Sequence, residues 1–320
     1  MRLRSTLALA LASVAALLAA GPAPAAWPGH DGPVLYRGFE PAREGEGTEP
    51  AGLRGFSFLR FGHVSEYTGY RTDRDPQVSP AGDRGVWTSY DRPSQSAAVS
   101  AIYIAHLSGT GHVSGGGVRR IVGGRHGFQA REATFAPSGK RILFVANGAG
   151  DVYSVRLDGG GLRRITHGPS RDAAPAFSPR GNQIAFQRAP GSSASWHLFS
   201  SRPDGSRLRD LTPNLAPTSP ASDPDFSPDG RTIAFAIGLG THSRIWTMRA
   251  DGSHLRLLST RVPGGYGFAE PVFSPSGDWL LVTANSSAGP RLARIPVGDP
   301  AHPRMLPRDF GGDSPVWAPG

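Results

Sequence analysis

Residues Ala221–Ile237, which read ASDPDFSPDGRTIAFAI, contain the pattern that decides the fold. An apolar segment ends at Phe226, the turn sequence Ser-Pro-Asp-Gly follows at Ser227–Gly230, and a second apolar segment runs over Thr232–Ile237. Proline at the second position of a turn sets φ in advance, and glycine at the fourth position allows the backbone to reverse. We therefore expect a β-hairpin, in which two antiparallel strands are joined by this turn.

The chain repeats this hairpin pattern at intervals of 42 to 57 residues. The turn prolines of the six copies are Pro80, Pro137, Pro179, Pro228, Pro275 and Pro319. Asp-Gly pairs at 158–159, 204–205 and 251–252 mark a second hairpin in three of the copies. A period of this size, built from short strands, is typical of the blades of a β-propeller. We predict an all-β fold, a six-bladed β-propeller of four-stranded antiparallel blades.

The two ends of the chain complement each other. Residues Val316–Gly320 repeat an inner strand and its turn with no strands after them, whereas Gly32–Thr68 is strand-like with no such turn before it. We therefore predict that N- and C-terminal strands together close the last blade. The propeller is predicted to occupy residues 27–320, with repeats near 72–130, 131–171, 172–221, 222–267, 268–312, and 313–320 combined with 32–70.

Residues 1–26 are predicted to be a signal peptide that is removed on export. Arg2 and Arg4 precede an apolar run over residues 7–20, and small residues at 23–25 offer a cleavage site. The alternative is a membrane anchor, but the apolar run is shorter than the ~20 residues of a spanning helix. We expect a secreted or periplasmic monomer with no transmembrane span after cleavage. The chain has no cysteine, so its stability must come from packing without disulfides.

The chain is basic, with 34 Lys and Arg against 25 Asp and Glu and a formal net charge of +9. An exported chain does not meet intracellular nucleic acid, so we predict no nucleic-acid partner. The arginines recur at similar repeat positions, at Arg119, Arg120, Arg163, Arg164, Arg207, Arg209 and Arg256. Two interpretations stay open: charged outer strands that resist edge pairing, or a face that binds anions.

Acidic residues recur five positions before the turn prolines. These positions hold Asp75, Glu132, Ala174, Asp223, Glu270 and Ser314, and Asp172 and Asp313 lie close to the two exceptions. Inner strands line the channel of a propeller, so these residues predict an acidic ring at one channel mouth. We take Asp75, Glu132, Asp223, Glu270, Asp172 and Asp313 as the candidate ligand-binding residues.

Two interpretations of this acidic ring are open. It could bind a cation, for which Ca²⁺ is the candidate, or a basic peptide segment of a partner protein. Alternatively, the carboxylates bond nearby backbone N–H groups and fix the starts of the strands. The sequence predicts no other cofactor.

The sequence shows no catalytic constellation. Ten histidines are spread along the chain without the spacing of a metal site, and there is no Gly-x-Ser-x-Gly motif. We therefore predict no catalytic residues and favour a binding scaffold over an enzyme. The alternative is a hydrolase or lyase that acts on an extracellular anionic polymer held by the arginines.

The repeat at Asp223–Leu258 resembles the TolB-type β-propeller repeat, a relative of the WD repeat. The resemblance covers residues from about 70 to the end. It implies a scaffold that accepts a partner peptide at the channel mouth, where Asp75, Glu132, Asp223 and Glu270 are the matching positions. Periplasmic TolB carries a separate N-terminal α/β domain. Only some 40 residues separate the predicted signal from the first full repeat, so a stand-alone propeller is expected.

Overall fold

The computed structural model describes residues 31–40, 49–57, 60–66, 73–91, 99–107, 117–123, 128–146, 150–191, 195–258, 265–307 and 312–319. The predicted signal peptide lies outside these ranges. Within them the chain forms β-strands, joined by turns and by one short 3₁₀ turn at Gly240–His242, and no α-helix is present. The all-β prediction is therefore confirmed for the described residues.

The strands follow one another along the chain in short, closely spaced segments. Their bounds are β1 (Asp31–Glu40), β2 (Glu49–Ser57), β3 (Arg60–Glu66), β4 (Asp73–Val78), β5 (Arg84–Asp91), β6 (Val99–His106), β7 (Arg119–Gly123), β8 (Ala130–Phe135), β9 (Arg141–Ala146), β10 (Asp151–Arg156), β11 (Arg163–Arg164), β12 (Arg171–Phe177), β13 (Ile184–Ala189), β14 (His197–Ser201), β15 (Arg209–Asp210), β16 (Ala221–Phe226), β17 (Thr232–Ile237), β18 (Arg244–Arg249), β19 (Arg256–Leu257), β20 (Gly267–Phe273), β21 (Trp279–Asn285), β22 (Arg291–Pro296), β23 (Arg304–Met305) and β24 (Gly312–Pro319).

Five sheets repeat one unit, which we call a blade: four consecutive strands, each antiparallel to the next, with the first strand innermost. The blades are β4–β7, β8–β11, β12–β15, β16–β19 and β20–β23. The predicted count of six such blades is therefore corrected to five. The remaining sheet has the order β24-β1-β2-β3, and we call it the terminal sheet. It differs because residues 31–66 contain neither the Ser-Pro-x-Gly turn nor the Asp-Gly hairpin, and its strands β1 and β2 are 10 and 9 residues long.

The terminal sheet lies between the first and fifth blades. Its strand β24 pairs antiparallel with β1, with Trp317 opposite Val34. Trp317 packs against Leu281 of the fifth blade, and Val316 packs against Val78 of the first. The two ends of the described chain thus meet in one sheet, and the inner strands surround a central channel.

The core lies between neighbouring sheets, where the second strand of each blade is most deeply buried. Phe144, Phe186 and Phe235 lie on β9, β13 and β17 and have no exposed surface. Phe186 packs with Leu143 of the preceding blade, and Phe235 packs with Leu198 in the same way. Full burial of such a side chain stabilises the fold by roughly 1.5–3 kcal/mol. Blade-to-blade packing therefore holds the ring together.

The Ser-Pro-x-Gly turns connect the first and second strands, as predicted. The hydroxyl of Ser227 accepts a hydrogen bond of 2.9 Å from the N–H of Thr232, which begins the second strand. Gly230 has a φ of 71°, where a side chain is disfavoured, and a Cβ there would lie 3.3 Å from Pro179 of the preceding blade. The Asp-Gly hairpins of the second, third and fourth blades lie at the same end as these turns. We call this end the turn face, and the opposite end, where inner strands begin, the rim.

Candidate functional site at the channel

Every inner strand contains the same β-bulge near the rim. In the first blade Arg74 lies opposite Thr88 and Gln77 lies opposite Val86, so the inner strand has one extra residue. The same register shift occurs in β8, β12, β16, β20 and β24. The residue with positive φ is always the one five positions before the turn proline. These residues are Asp75 (51°), Glu132 (55°), Ala174 (45°), Asp223 (53°), Glu270 (51°) and Ser314 (49°).

A positive φ is strained for residues with a side chain, and such a conformation costs about 1–3 kcal/mol. Side chains from the preceding blade stabilise four of the six bulges by hydrogen bonds. Four backbone N–H groups at these positions donate across a blade boundary: Glu132 to Thr88 Oγ1 (3.0 Å), Ala174 to Glu132 Oε2 (2.7 Å), Asp223 to Gln187 Oε1 (3.1 Å) and Ser314 to Glu270 Oε2 (2.7 Å).

The two glutamates therefore have a structural role. Glu132 holds the bulge at Ala174, and Glu270 holds the bulge at Ser314, which are the two positions without an acid. Each glutamate has a second donor: Arg131 Nε at 3.1 Å from Glu132, and Thr283 Oγ1 at 2.6 Å from Glu270. The interpretation that the acids bond backbone N–H groups applies to both glutamates, but the N–H group belongs to the next sheet.

The inner strands enclose a cavity of about 170 Å³. Asp75, Glu132, Asp223 and Glu270 all contribute to its lining. Burial, with repulsion from Glu132 and Glu270, raises the pKa of Asp75 to about 7. Burial, with repulsion from Glu270, raises the pKa of Asp223 to about 7. The structure thus brings four of the six candidate residues together around one cavity, close enough for their charges to interact.

The two aspartates have fewer hydrogen-bond partners than the two glutamates. Asp75 is bonded by the hydroxyl of Thr88 and Asp223 by that of Ser222, and both hydroxyls are neutral. These bonds lower the pKa of each aspartate only in part, and burial remains the larger effect. A positively charged group in the cavity would favour the ionised form of both carboxylates.

The other two candidates, Asp172 and Asp313, do not line this cavity. Asp172 lies opposite Arg188 in the strand register and forms a bidentate ion pair with it, at 2.7 and 2.8 Å. Its side chain is 1% exposed, so the placement of Asp172 on an accessible rim was wrong. Asp313 is near enough to raise the pKa of Asp75 a little further.

Sequence reasoning missed one acid of the cavity, Asp225. It lies on β16 two residues after Asp223, and its Oδ2 accepts a hydrogen bond of 2.8 Å from the N–H of Phe273 in the next blade. Burial raises its pKa to about 7. The corresponding positions of the other repeats hold uncharged residues, so there was no recurring pattern to mark it. The only available signal was a charged residue at an inner-strand position.

The described residues contain no group of three or more His, Asp or Glu side chains that could hold a metal ion. The structure thus provides no ligand set for Ca²⁺, and calcium binding stays a prediction. The described part of the chain also has no helix with the length and apolar character needed to cross a bilayer.

Comparison with known proteins identifies the type of propeller. A TolB homolog of Chlorobium luteolum is 42% identical over 50 residues, which are 15% of this chain and 12% of that protein. The crystal structure of TolB from Acinetobacter baumannii superposes with a TM-score of 0.68 at 18% identity, covering 90% of this chain and 67% of the other.

A putative TolB from Agrobacterium tumefaciens superposes with a TM-score of 0.60 at 19% identity, covering 89% of this chain and 91% of that one. At these identities the two superpositions show a common fold. The family model described as the TolB beta propeller domain matches residues 74–319, which include all five blades and β24. The chain therefore belongs to the TolB beta propeller domain family.

Proposed function

We propose that this protein is a non-catalytic binding scaffold of the periplasm or the extracellular space. Its channel mouth binds a partner protein by accepting one positively charged side chain, a lysine or an arginine, from a peptide segment of that partner. The observation that carries this proposal is the cavity shared by Asp75, Glu132, Asp223 and Glu270. Family membership supports a protein-binding role, and the predicted signal peptide supports export.

The charge of the cavity favours a cationic ligand. Burial and repulsion from the other carboxylates raise the pKa values of Asp75 and Asp223 to about 7. An ammonium or guanidinium group between them would replace repulsion with attraction, and Coulomb interactions are stronger in a partly buried site than in water. Such complementarity selects a basic segment over neutral or acidic ones.

The size of the cavity favours a single side chain. Its volume of about 170 Å³ is close to the ~150 Å³ of an engineered cavity that holds one benzene molecule. Pockets for drug-sized ligands measure about 300–1,000 Å³. The rest of a bound peptide would therefore lie outside the channel, across the rim.

The rigidity of the rim also suits binding. The carboxylates lie on strands rather than on loops, and hydrogen bonds across blade boundaries fix the bulges that carry Glu132 and Asp223. A site that is already ordered loses less entropy when it binds. A hydrolase or lyase is the second function that the sequence left open, and no specific observation in the described residues favours it.

The proposal can be tested by selecting peptides from a random displayed library on the purified chain. We expect the selected peptides to share a basic residue, and replacing it with norleucine should weaken binding at least about tenfold. Asp75→Asn combined with Asp223→Asn should abolish binding. The matched control is Asp83→Asn with Asp278→Asn, which removes the same charge from the turn face. Peptides that lack a basic residue, or that bind the cavity variant equally well, would refute the proposal.

A pH series separates this charge effect from a change in shape. Asp75 and Asp223 attract a cation only when they are ionised, and their pKa values are raised to about 7. Affinity for a selected lysine peptide should therefore rise between about pH 6 and about pH 8. The rise should be smaller in Asp75→Asn and in Asp223→Asn, each of which keeps one of the two aspartates.

A further inference from the structure

A second groove lies on the turn face between the third and fourth blades, and it is independent of the channel. Its volume is about 540 Å³, within the ~300–1,000 Å³ range of ligand pockets. Its lining residues are Asn182, Gln183, Ser200, Ser201, Arg202, Arg207, Arg209, Ala250 and Asp251. Three arginines and one aspartate give this lining a formal charge of +2 (3 − 1).

Two of the three arginines of this groove have arginine counterparts in the second blade, and their contacts differ from those of the counterparts. Alignment of the repeats places Arg156 with Arg202 and Arg163 with Arg209. Arg156 donates to the carboxylate of Asp158 at 3.3 Å, and Arg163 donates to the backbone oxygen of Asp204 at 3.2 Å. Both arginines of the second blade are thus occupied by contacts within the protein.

In the third blade these contacts are not made. Asp204, the counterpart of Asp158, accepts from the N–H of Ser206 at 2.9 Å, as Asp158 does from the N–H of Gly160 at 2.7 Å, but it accepts no hydrogen bond from Arg202. Within the described ranges, the guanidinium groups of Arg202, Arg207 and Arg209 make no hydrogen bond and no ion pair. The second blade has a glycine, Gly161, at the position where the third blade has Arg207. The third blade therefore carries one more cation than the second.

The walls of the groove are held in place by contacts between the two blades. Gln183 Nε2 donates to the backbone oxygen of Ala250 at 3.0 Å, which links the third blade to the fourth. Asn182 Oδ1 accepts from Ser178, so its amide group contributes N–H donors to the lining. Asp251 accepts from the N–H of Ser253 at 2.9 Å, and its bonds with Ser253 lower its pKa. It stays ionised and offsets one of the three cations.

We propose that this groove is a binding site for a phosphate group, held by Arg202, Arg207 and Arg209. The guanidinium group presents paired N–H donors that match phosphate oxygens in a bidentate arrangement. A phosphate monoester carries about −1.5 to −2 charges at neutral pH, which balances the lining. Three guanidinium groups that make no hydrogen bond or ion pair within the described ranges line one groove, so their N–H donors can bond to a phosphate.

The phosphate can come from two sources. One is a soluble phosphorylated compound. The other is the headgroup of an anionic lipid, since Leu208 lies between Arg207 and Arg209 and is 49% exposed. Leu162 and Leu255 occupy the matching positions of the neighbouring blades and are 50% and 44% exposed. Exposed apolar side chains beside arginines are typical of surfaces that contact anionic membranes.

The first arm of the test measures pyrophosphate binding to the full chain by calorimetry. Arg202→Ala, Arg207→Ala and Arg209→Ala should each weaken binding at least about tenfold. The matched controls are Arg156→Ala and Lys140→Ala, which remove the same charge from the second blade and should change affinity by less than about twofold. Arg209→Lys keeps the charge but loses the paired donors, so an intermediate loss is expected. Thermal melting checks that each variant is folded.

The second arm measures sedimentation with vesicles of phosphatidylglycerol, using phosphatidylcholine vesicles as the neutral control. Binding to phosphatidylglycerol that the three groove substitutions remove identifies a lipid headgroup as the source. Binding of pyrophosphate alone identifies a soluble compound. If neither probe binds, or if the second-blade controls lose as much affinity as the groove variants, the proposed site is wrong. Neither result depends on the channel, so this proposal and the peptide site can fail separately.

Discussion

Glu132 Oε2 accepts a hydrogen bond of 2.7 Å from the backbone N–H of Ala174, so a carboxylate of the second blade stabilises the bulge of the third. Glu270 makes the same bond to Ser314, and thereby ties the fifth blade to the terminal sheet. The five acids of the cavity thus divide into three that accept from a backbone N–H of the next sheet, Glu132, Asp225 and Glu270, and two that do not, Asp75 and Asp223. Substituting an acid that bonds to the next sheet should therefore affect stability differently from substituting Asp75 or Asp223.

Removing the Glu132 carboxylate should destabilise the protein through Ala174. Glu132→Ala leaves the Ala174 N–H without its acceptor, and a lost partner of this kind costs about 1–3 kcal/mol. Glu132→Gln keeps an oxygen that can accept, so its loss should be smaller. Both substitutions remove the negative charge, so the difference in unfolding free energy from urea titrations isolates the hydrogen bond. Equal losses in the two variants would contradict the role assigned to Glu132.

Stability should depend on pH through Asp75 and Asp223. Their pKa values are raised from 3.8 to about 7 in the folded protein, so between these values the folded chain binds more protons than the unfolded chain. The unfolding free energy should therefore fall as pH rises through this window and level off above about pH 7. Asp75→Asn with Asp223→Asn should flatten the curve, leaving the smaller slope from Asp225. An unchanged slope in urea titrations at several pH values would oppose this assignment.

The buried ion pair of the third blade should be sensitive to the loss of one partner. The side chain of Arg188 is 8% exposed, and that of Asp172 is 1% exposed. Arg188→Ala leaves the Asp172 charge buried without its partner, which typically costs about 3–5 kcal/mol. Arg188→Met combined with Asp172→Leu removes both charges and should recover most of the loss. A double variant as unstable as the single one in urea titrations would refute this account.

Trp317 should contribute strongly to the joining of the chain ends. Its side chain is 3% exposed and packs against Leu281 and Leu292 of the fifth blade and Val34 of β1. Trp317→Ala should lower the unfolding free energy by about 3–5 kcal/mol, whereas Trp317→Phe keeps a ring and should lose less. Thermal melting of both variants measures the loss of stability as a decrease in Tm. A decrease of less than a few degrees for the alanine variant would show that this packing contributes little.

The repeated hairpins could be predicted because they depend on neighbouring residues. Proline and glycine set the turn at Ser227–Gly230 locally, and the recurrence of acids five residues earlier pointed to one cavity. The terminal sheet could not be counted correctly, since residues 31–66 contain no copy of the Ser-Pro-x-Gly turn. The predicted and the observed blades agree where the Ser-Pro-x-Gly turn is present, and they differ in the terminal sheet, where residues 31–66 lack it.

The roles of individual acids could not be predicted because they depend on contacts far apart in the sequence. Glu132 and Ala174 are 42 residues apart, and Glu270 and Ser314 are 44 apart. Asp172 was misplaced because its cross-strand neighbour is Arg188, and only the register of the sheet shows that pairing. Positive φ at Glu132 and Ala174 also has no local signal, since these residue types rarely adopt it.

The recurring bulge has a consequence for how this channel could be redesigned. Asp, Glu, Ala and Ser all occupy it with φ between 45° and 55°, so the bend of the backbone does not depend on the side chain it presents. Each sheet therefore presents one position in the channel wall at which different side chains are compatible with the same backbone conformation. Exchanging residues at Ala174 or Ser314 offers a route to change which partner is recognised while the architecture stays intact.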